Sequence, residues 1–426
     1  MNLEELDAST KAKREHHVVV FLPFVRLKMA CTVAGVEFVP LRDGDDKVPD
    51  TLLSAVDPLE RILSGYIDRH GDPLTNCVVA TIPGRGWDLE VEDFPTVRWA
   101  ASLLFLASWS CNDYYPRFSR DYVNSTNFRM VGQRYTGATP GYIAVSARRR
   151  DGSTTDGGYE HGEFKFSVPL QISVREPASI DEKFLNALDA AQAAGSTLIE
   201  RLQTALPFVE LANSDDDFMT EQAEAILMGS AFEQLLHGDA SAYKLSKKFG
   251  ELFKPFGSVT VADALKVRSG IQLDTSTPEI AAAQPTWWVH RKWIEELYDV
   301  RSKVVHKGSE KSRAWGWEIG RHLVMAAHLF PLTVKLLLEK EGHYALTDED
   351  RAACLATDLL LVSPQWVEDR DDRETGHSWH EVIEKTTNDL RWEKIWEKVK
   401  KEHPEVFRDD ASQMSDRKPA PDPAVD

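Results

Sequence analysis

Trp293-Ile-Glu-Glu-Leu-Tyr-Asp-Val-Arg-Ser-Lys-Val-Val-His306-Lys-Gly308 is the stretch from which the helical half of this chain is read. At about 100° per residue, Trp293, Ile294, Leu297, Val300 and Val304 fall in one arc, the pattern of a helix with one face in a core. Gly308 ends the run. Arg301 projects into the same arc, between Leu297 and Val305. Desolvating a guanidinium there is costly unless it is paired. Either a carboxylate meets it inside the protein, or the arc faces an interface or a cleft. His306 lies about 140° further round, on the side of Asp299 and Ser302. Within one ideal helix Arg301 and His306 do not converge. They meet if the helix ends at Lys307-Gly308, or if two copies of it approach across a dimer.

Further helices surround this one. Ser179-Ile-Asp-Glu182 has the spacing of a capping box. After it Phe184, Leu188, Ala191, Leu198, Leu202 and Leu206 recur at helical intervals, with Gly195 on the same stripe and Pro207 closing the run. Ala225, Met228, Phe232, Leu235 and Leu236 mark a second helix, and Trp293–Val304 positions the third. A fourth runs over residues 317–340, with a kink expected at Pro331. Residues 240–285 read as a long connection with a short helix at 262–268. Residues 178–345 are therefore expected to form an all-α bundle, and 346–426 an acidic helical tail, best formed at 380–401 and disordered from about 408.

The first 177 residues have another period. Residues 17–24, 36–41 and 77–82 are β-branched and aromatic runs bounded by turn residues. Pro95 sits at a first helical position, and 96–109 read as a buried helix. Phe164, Phe166, Val168, Leu170, Ile172 and Val174 alternate with Lys165, Ser167, Pro169, Gln171 and Ser173, the period of a half-buried strand, at an edge or bulged at Pro169. Residues 141–149 are expected to pair with it across the glycine-rich stretch 151–158. The fold class read from the sequence is thus an α+β N-terminal domain with an antiparallel sheet, followed by the helical bundle and the acidic tail.

The chain has 426 residues, 42% hydrophobic and 28% charged, with a formal net charge of −18. That balance argues against a general nucleic-acid coat. A local basic site remains open: residues 241–310 hold eleven Lys and Arg against eight Asp and Glu. Cys31, Cys77, Cys111 and Cys354 show no metal or redox spacing, so reduced thiols are expected. The acidic, polar start does not resemble a signal peptide, and the apolar run 99–109 is too short for a bilayer, so a cytoplasmic protein is expected. No phosphate loop occurs, and no His-x3-His or Cys-His cluster, so neither a cofactor nor a metal is expected.

Arginine and histidine together suit RNA cleavage without a metal. Histidine titrates near neutral pH and serves as acid or base at the 2′-hydroxyl or the leaving oxygen. Arginine offers forked donors to a phosphate and its developing charge. DNA lacks the attacking hydroxyl. The spacing Arg-x4-His is by itself common. Its setting, Leu297-Tyr298-Asp-Val-Arg301-Ser302-Lys-Val-Val-His306-Lys-Gly308, resembles the signature of HEPN domains, closest to the Apea-like branch. Phe232-Glu233-Gln-Leu-Leu236 is similar to a segment on an earlier helix of that branch. The resemblance covers about residues 180–345.

The resemblance implies a helical domain that pairs as a homodimer, with the Arg–His motif at the dimer cleft. It implies a metal-independent endoribonuclease acting on RNA, of the kind found among toxins and antiviral effectors. Carried over by position, Arg301 and His306 are the active pair, and Glu233 holds Arg301. Ser302 is the polar residue that follows the arginine. Lys307 departs from the pattern, since glycine often follows the histidine directly; it either alters the helix end or adds a phosphate contact. Some members of this family are inactive and serve dimerisation or binding. The bland alternatives are a buried Arg301–Glu233 ion pair that only fixes two helices, and a His306 that caps or faces solvent. Trp287, Trp288 and Trp293 are expected to pack rather than stack on bases, and Arg148-Arg149-Arg150 to be a solvated strand end. The N-terminal domain is expected to sense a trigger or to restrain the nuclease.

Overall fold

The computed structural model describes residues 17–41, 66–67, 76–111, 125–135, 142–148, 154–160, 166–167, 177–214, 218–236, 241–268, 270–275, 277–307, 316–362 and 379–403. The β-branched runs form strands: β1 (His17–Leu22), β2 (Cys31–Val33), β3 (Val36–Leu41), β4 (Tyr66–Ile67), β5 (Cys77–Thr81) and β6 (Asp88–Leu89), then β7 (Val131–Tyr135). All but β4 make a six-stranded antiparallel sheet in the order β2-β3-β5-β1-β6, with β7 also pairing β1. The two-residue turn between β2 and β3 places Ala34 at φ 50° and Gly35 at φ 77°. Left-handed backbone suits the turn but strains an alanine. The Ala34 amide donates to Asp189 Oδ1 at 2.8 Å, which anchors that conformation to the helical half.

Period-two alternation sorts β1 between two cores. Val18, Val20 and Leu22 join the large core shared with the helices, and Val19 and Phe21 join a smaller one with Val39, Tyr66 and Val79. The sheet is therefore covered on both faces. Helix α1 (Phe94–Trp109) starts with proline in its first turn, as expected, and is buried along most of its length.

Two sequence expectations fail next. Strand β8 (Tyr142–Arg148) pairs with β9 (Thr154–Glu160), so the glycine-rich stretch is itself the partner strand. Closing a five-residue connection costs less chain entropy than reaching past it. Of the alternating run 164–174, the described part is β10 (Phe166–Ser167), which pairs in parallel with β4; Pro169 and the rest lie outside the described residues.

The helices follow: α2 (Glu182–Ala193), α3 (Thr197–Ala212), α4 (Glu221–Leu235), α5 (Ala242–Phe253), α6 (Val261–Val267), α7 (Pro278–Ala283), α8 (Val289–Lys307), α9 (Ile319–Lys340), α10 (Asp348–Val362) and α11 (Trp379–Glu402). The cap of α2 is Asp181, which accepts from the Phe184 amide at 2.9 Å, and not Ser179. The expected single run 184–206 is two helices. Gly195 takes φ 67° and the Ser196 amide returns to the Ala191 carbonyl, a six-to-one closure that ends α2. Ser196 then caps α3 by accepting from Leu198, and Pro207 lies inside α3 instead of ending it. The stretch 240–285 is no bare connection: it holds α5, α6 and α7. Helix α9 runs on through Pro331.

One apolar core runs from Val18 and Phe38 through Leu103 and Phe184 to Phe330 and Leu360. The rings of Trp109 on α1 and Phe330 on α9 lie 6.1 Å apart. The Trp99 indole donates to Gln192 at 2.8 Å, and the Asp181 amide to the Ala107 carbonyl at 3.2 Å. Lys335 of α9 sits between Asp181 and Asp350, 2.7 Å from each, under the rings of Phe184 and Tyr344. Burial alone would lower its pKa, but the two carboxylates outweigh that and raise it. Helix α9 is long and apolar enough to cross a membrane by length and composition, and 72% of its apolar window is buried inside the protein. The expected tail contributes α10 to this core, through Cys354, Leu360 and Leu361.

Candidate active site

Helix α8 is central. It packs against α4, α5 and α10. From Lys292 to Tyr298 every residue is buried, including Lys292, Glu295 and Glu296. Each of these charges has a partner. Lys292 Nζ lies 2.5 Å from Glu295 Oε2 and 3.4 Å from Gln284 Oε1. Burial pushes the Glu295 carboxyl up, against the lowering effect of Lys292. Glu296 Oε1 accepts from the Trp317 amide at 3.1 Å and lies 3.3 Å from His322 Nε2. His290 gives its amide and Nδ1 to Asp358 Oδ1 of α10, at 3.2 and 2.8 Å.

Beyond Tyr298 burial is no longer continuous. Asp299, Arg301 and Ser302 are all half-buried. Arg301 reaches to α4: its Nε donates to Ser230 Oγ at 3.1 Å, and its Nη1 lies 2.9 Å from Glu233 Oε2. The guanidinium also lies 5.2 Å from the centre of the Tyr298 ring. Arg301 and Glu233 are thus brought together, and the pairing is uneven. The Glu233 side chain is 9% exposed, whereas Arg301 keeps 28% of its side chain in solvent. The hydroxyl of Tyr298 is pushed up by burial first and by the Glu233 charge second, while Arg301 pulls the other way.

Gly229 explains how close α4 comes. A Cβ added there would stand 3.3 Å from Arg301 Cβ and 3.5 Å from Arg301 Cδ. Ser230, one residue on, gives its hydroxyl proton to the Ile226 carbonyl at 2.8 Å. Its oxygen is then left to accept from Arg301. Sequence reasoning missed Ser230; its place three residues before Glu233, on the same helix face, was the signal available.

His306 and Lys307 stand in the last turn of α8. Five residues separate Arg301 from His306, a rise of about 7.5 Å with about 140° of rotation. The side chains at 303–307, and all of 308–315, lie outside the described residues. The two positions thus lie on one helix, five residues apart.

The tryptophans near the motif pack. Trp293 is fully buried, and Trp287 lies under the Arg291 guanidinium, 3.5 Å from its ring centre. Trp288 lies against Gly257, where a Cβ would come within 2.4 Å of its ring. Burial lowers the Arg291 pKa. Cys31, Cys77, Cys111 and Cys354 are free thiols. Among the described residues, no group of three or more His, Cys, Asp or Glu side chains could hold a metal ion. No protein-family model matches the chain, and no curated protein or solved structure matches it.

Proposed function

We propose that the chain is a HEPN-type endoribonuclease that needs no metal, and that it acts as a homodimer with Arg301 and His306 of both copies in one cleft. The observation that carries this reading is the clamped but open Arg301. Ser230 and Glu233 fix one side of its guanidinium, and 28% of the side chain remains in solvent. A fixed, forked donor suits the charge that develops on a phosphate. One histidine removes the 2′-hydroxyl proton, and the freed oxygen attacks the adjacent phosphorus. The bond to the 5′-oxygen breaks, and that oxygen takes a proton from the other histidine. The products are a 2′,3′-cyclic phosphate and a 5′-hydroxyl. This reading gives supporting roles to Asp299 and Ser302, half-buried beside Arg301, and to Lys307 after His306. In this reading the protein is a cytoplasmic defence or toxin effector, and the N-terminal sheet senses a trigger or restrains the nuclease. Those roles rest on architecture and analogy.

One observation favours a second reading, an inactive module for dimerisation and for RNA or protein binding. The Arg301–Glu233 pair ties α4 to α8 and would serve as a staple without any reaction. Labelled RNA incubated with the protein in EDTA separates the two. Cleavage to 2′,3′-cyclic ends that is lost in both Arg301→Ala and His306→Ala supports the nuclease. No cleavage of any RNA, with unchanged cellular toxicity of those variants, overturns it. A protein that stays monomeric by light scattering at micromolar concentration overturns the shared cleft.

A further inference from the structure

A cavity of about 760 Å³ lies between α1 and α3, closed on one side by the short turn Ser125–Phe128. That volume is in the range of small-molecule sites. Its wall is held in place. The Ser125 amide donates to the Asn213 carbonyl at 3.0 Å, and the Ser125 hydroxyl to the Glu210 carbonyl at 2.5 Å, which fastens the turn to α3. The lining has two characters. Phe105, Phe128, Met130 and Leu211 are apolar, whereas Arg98, Arg129, Ser102 and Glu210 carry the polar groups.

Arg98 and Arg129 are both exposed at the surface. Among the described residues neither guanidinium makes a hydrogen bond or an ion pair. Glu210 stands between the polar and apolar walls, with the Ser102 hydroxyl in hydrogen-bond reach and the Arg98 charge near. Burial raises its pKa, and those two neighbours oppose the rise.

We propose that this cavity binds a nucleotide, its phosphate on Arg98 and Arg129 and its base against the apolar wall with an N–H edge toward Glu210. Among the described lining residues, two guanidiniums against one carboxyl leave a positive excess that suits a phosphate. A free phosphate would leave Glu210 and the apolar wall unused. A purely apolar ligand would make no use of either guanidinium. A base with adjacent ring and exocyclic N–H groups offers donors to a carboxylate, whereas uracil has a single such donor.

Titration calorimetry of the full chain with the four ribonucleoside 5′-monophosphates, their nucleosides and inorganic phosphate tests the assignment. At least one monophosphate should bind one-to-one. The double variant Arg98→Gln/Arg129→Gln should weaken it by roughly tenfold or more, with nucleoside binding unchanged. Both arginines are exposed, so the variant should melt as the parent does. Glu210→Gln should change the ranking of the bases. The proposal is overturned if no monophosphate binds at millimolar concentration, if the double variant binds as the parent does, or if inorganic phosphate binds as tightly as the best nucleotide. None of these readouts depends on RNA cleavage, so the site stands or falls apart from the nuclease reading.

Discussion

Asp358 should be among the most costly side chains to remove from this protein. Its carboxylate is fully buried and accepts four N–H groups: the Ser258 amide at 2.7 Å, the Val259 amide at 3.1 Å, the His290 amide at 3.2 Å and His290 Nδ1 at 2.8 Å. These donors come from the start of α8 and from the strand-like segment before α6, so one side chain joins α10 to both. In Asp358→Ala all four donors lose their acceptor. At about 1.5–3 kcal/mol for each bond to a charged group the simple sum overshoots, because the bonds share two oxygens and water can enter the space left. Breaking a buried charged interaction costs about 3–5 kcal/mol, and about 4 kcal/mol is expected here. For a cooperative unit of about 200 residues that is a fall in Tm of roughly 8–16 °C. Asp358→Asn keeps the shape and one acceptor oxygen but turns an amide toward two of the donors, so it should recover less than half of the loss. Urea unfolding followed by tryptophan fluorescence measures both. A loss below about 1 kcal/mol for Asp358→Ala would refute the reasoning, since it would mean that α10 is not docked on α8 through this carboxylate.

Two further outcomes can be checked with the same protein. His328 has no solvent contact at Nε2, and burial holds its imidazole down at about 4. Between pH 6.5 and about 4 the unfolded chain takes up a proton that the folded chain refuses, so stability is full above pH 6.5, falls through that window and levels off below it. The shift bounds the loss at about 3 kcal/mol, and because the residue is half-buried by exposed area the expected loss is roughly 1–2 kcal/mol. Urea midpoints at pH 7 and pH 5 should converge in His328→Gln, and parallel curves for variant and parent would sink the assignment. Gly229→Ala places a methyl 3.3 Å from Arg301 Cβ. A gain of about 1 kcal/mol in helix propensity is then set against crowding of about 1–3 kcal/mol, for a net loss of about 1 kcal/mol. Under the nuclease reading cleavage falls by tenfold or more because Arg301 is displaced, and a stabilised variant that cleaves as the parent does would contradict both parts.

The motif helix was legible because its apolar residues repeat with the helical period over about three turns. The strands of the main sheet were legible because β-branched runs ended at clear turn residues. Helix α5 was missed although Leu245, Phe249 and Phe253, all buried, repeat every four residues. Lys244, Lys247 and Lys248 between them made the stretch look like a solvated link. The cap of α2 was misplaced because Ser179 and Asp181 both precede the helix, and only backbone geometry chooses between them. Gly195 looked like a neutral member of an apolar stripe, since a positive φ leaves no mark on periodicity. The pairs that hold α8 were invisible for a different reason: His290 and Asp358 are 68 residues apart. Neither residue type announces a partner at that distance.

Those pairs also bear on what Arg301 is for. Lys292, Glu295 and Glu296 of α8 are charges inside a core, and each is almost closed off from water by a partner. That is how this helix treats a charge whose task is to fix its register. Arg301 is treated otherwise. It has two partners on α4, yet its side chain is 28% exposed, against 5% for Lys292. Solvent screens the Arg301–Glu233 pair and weakens it as a staple, although full enclosure of a guanidinium carries its own desolvation cost. A guanidinium that must also meet a phosphate needs one side fixed and another open. The stripe of Lys292, Glu295, Asp299 and Ser302, spaced three and four residues apart, runs from the fully buried part of α8 to its half-buried part. The same helix therefore presents Arg301 toward α4, with the His306 position five residues further along it. Under the nuclease reading proposed above, a second copy of the helix would bring the two groups onto one phosphate.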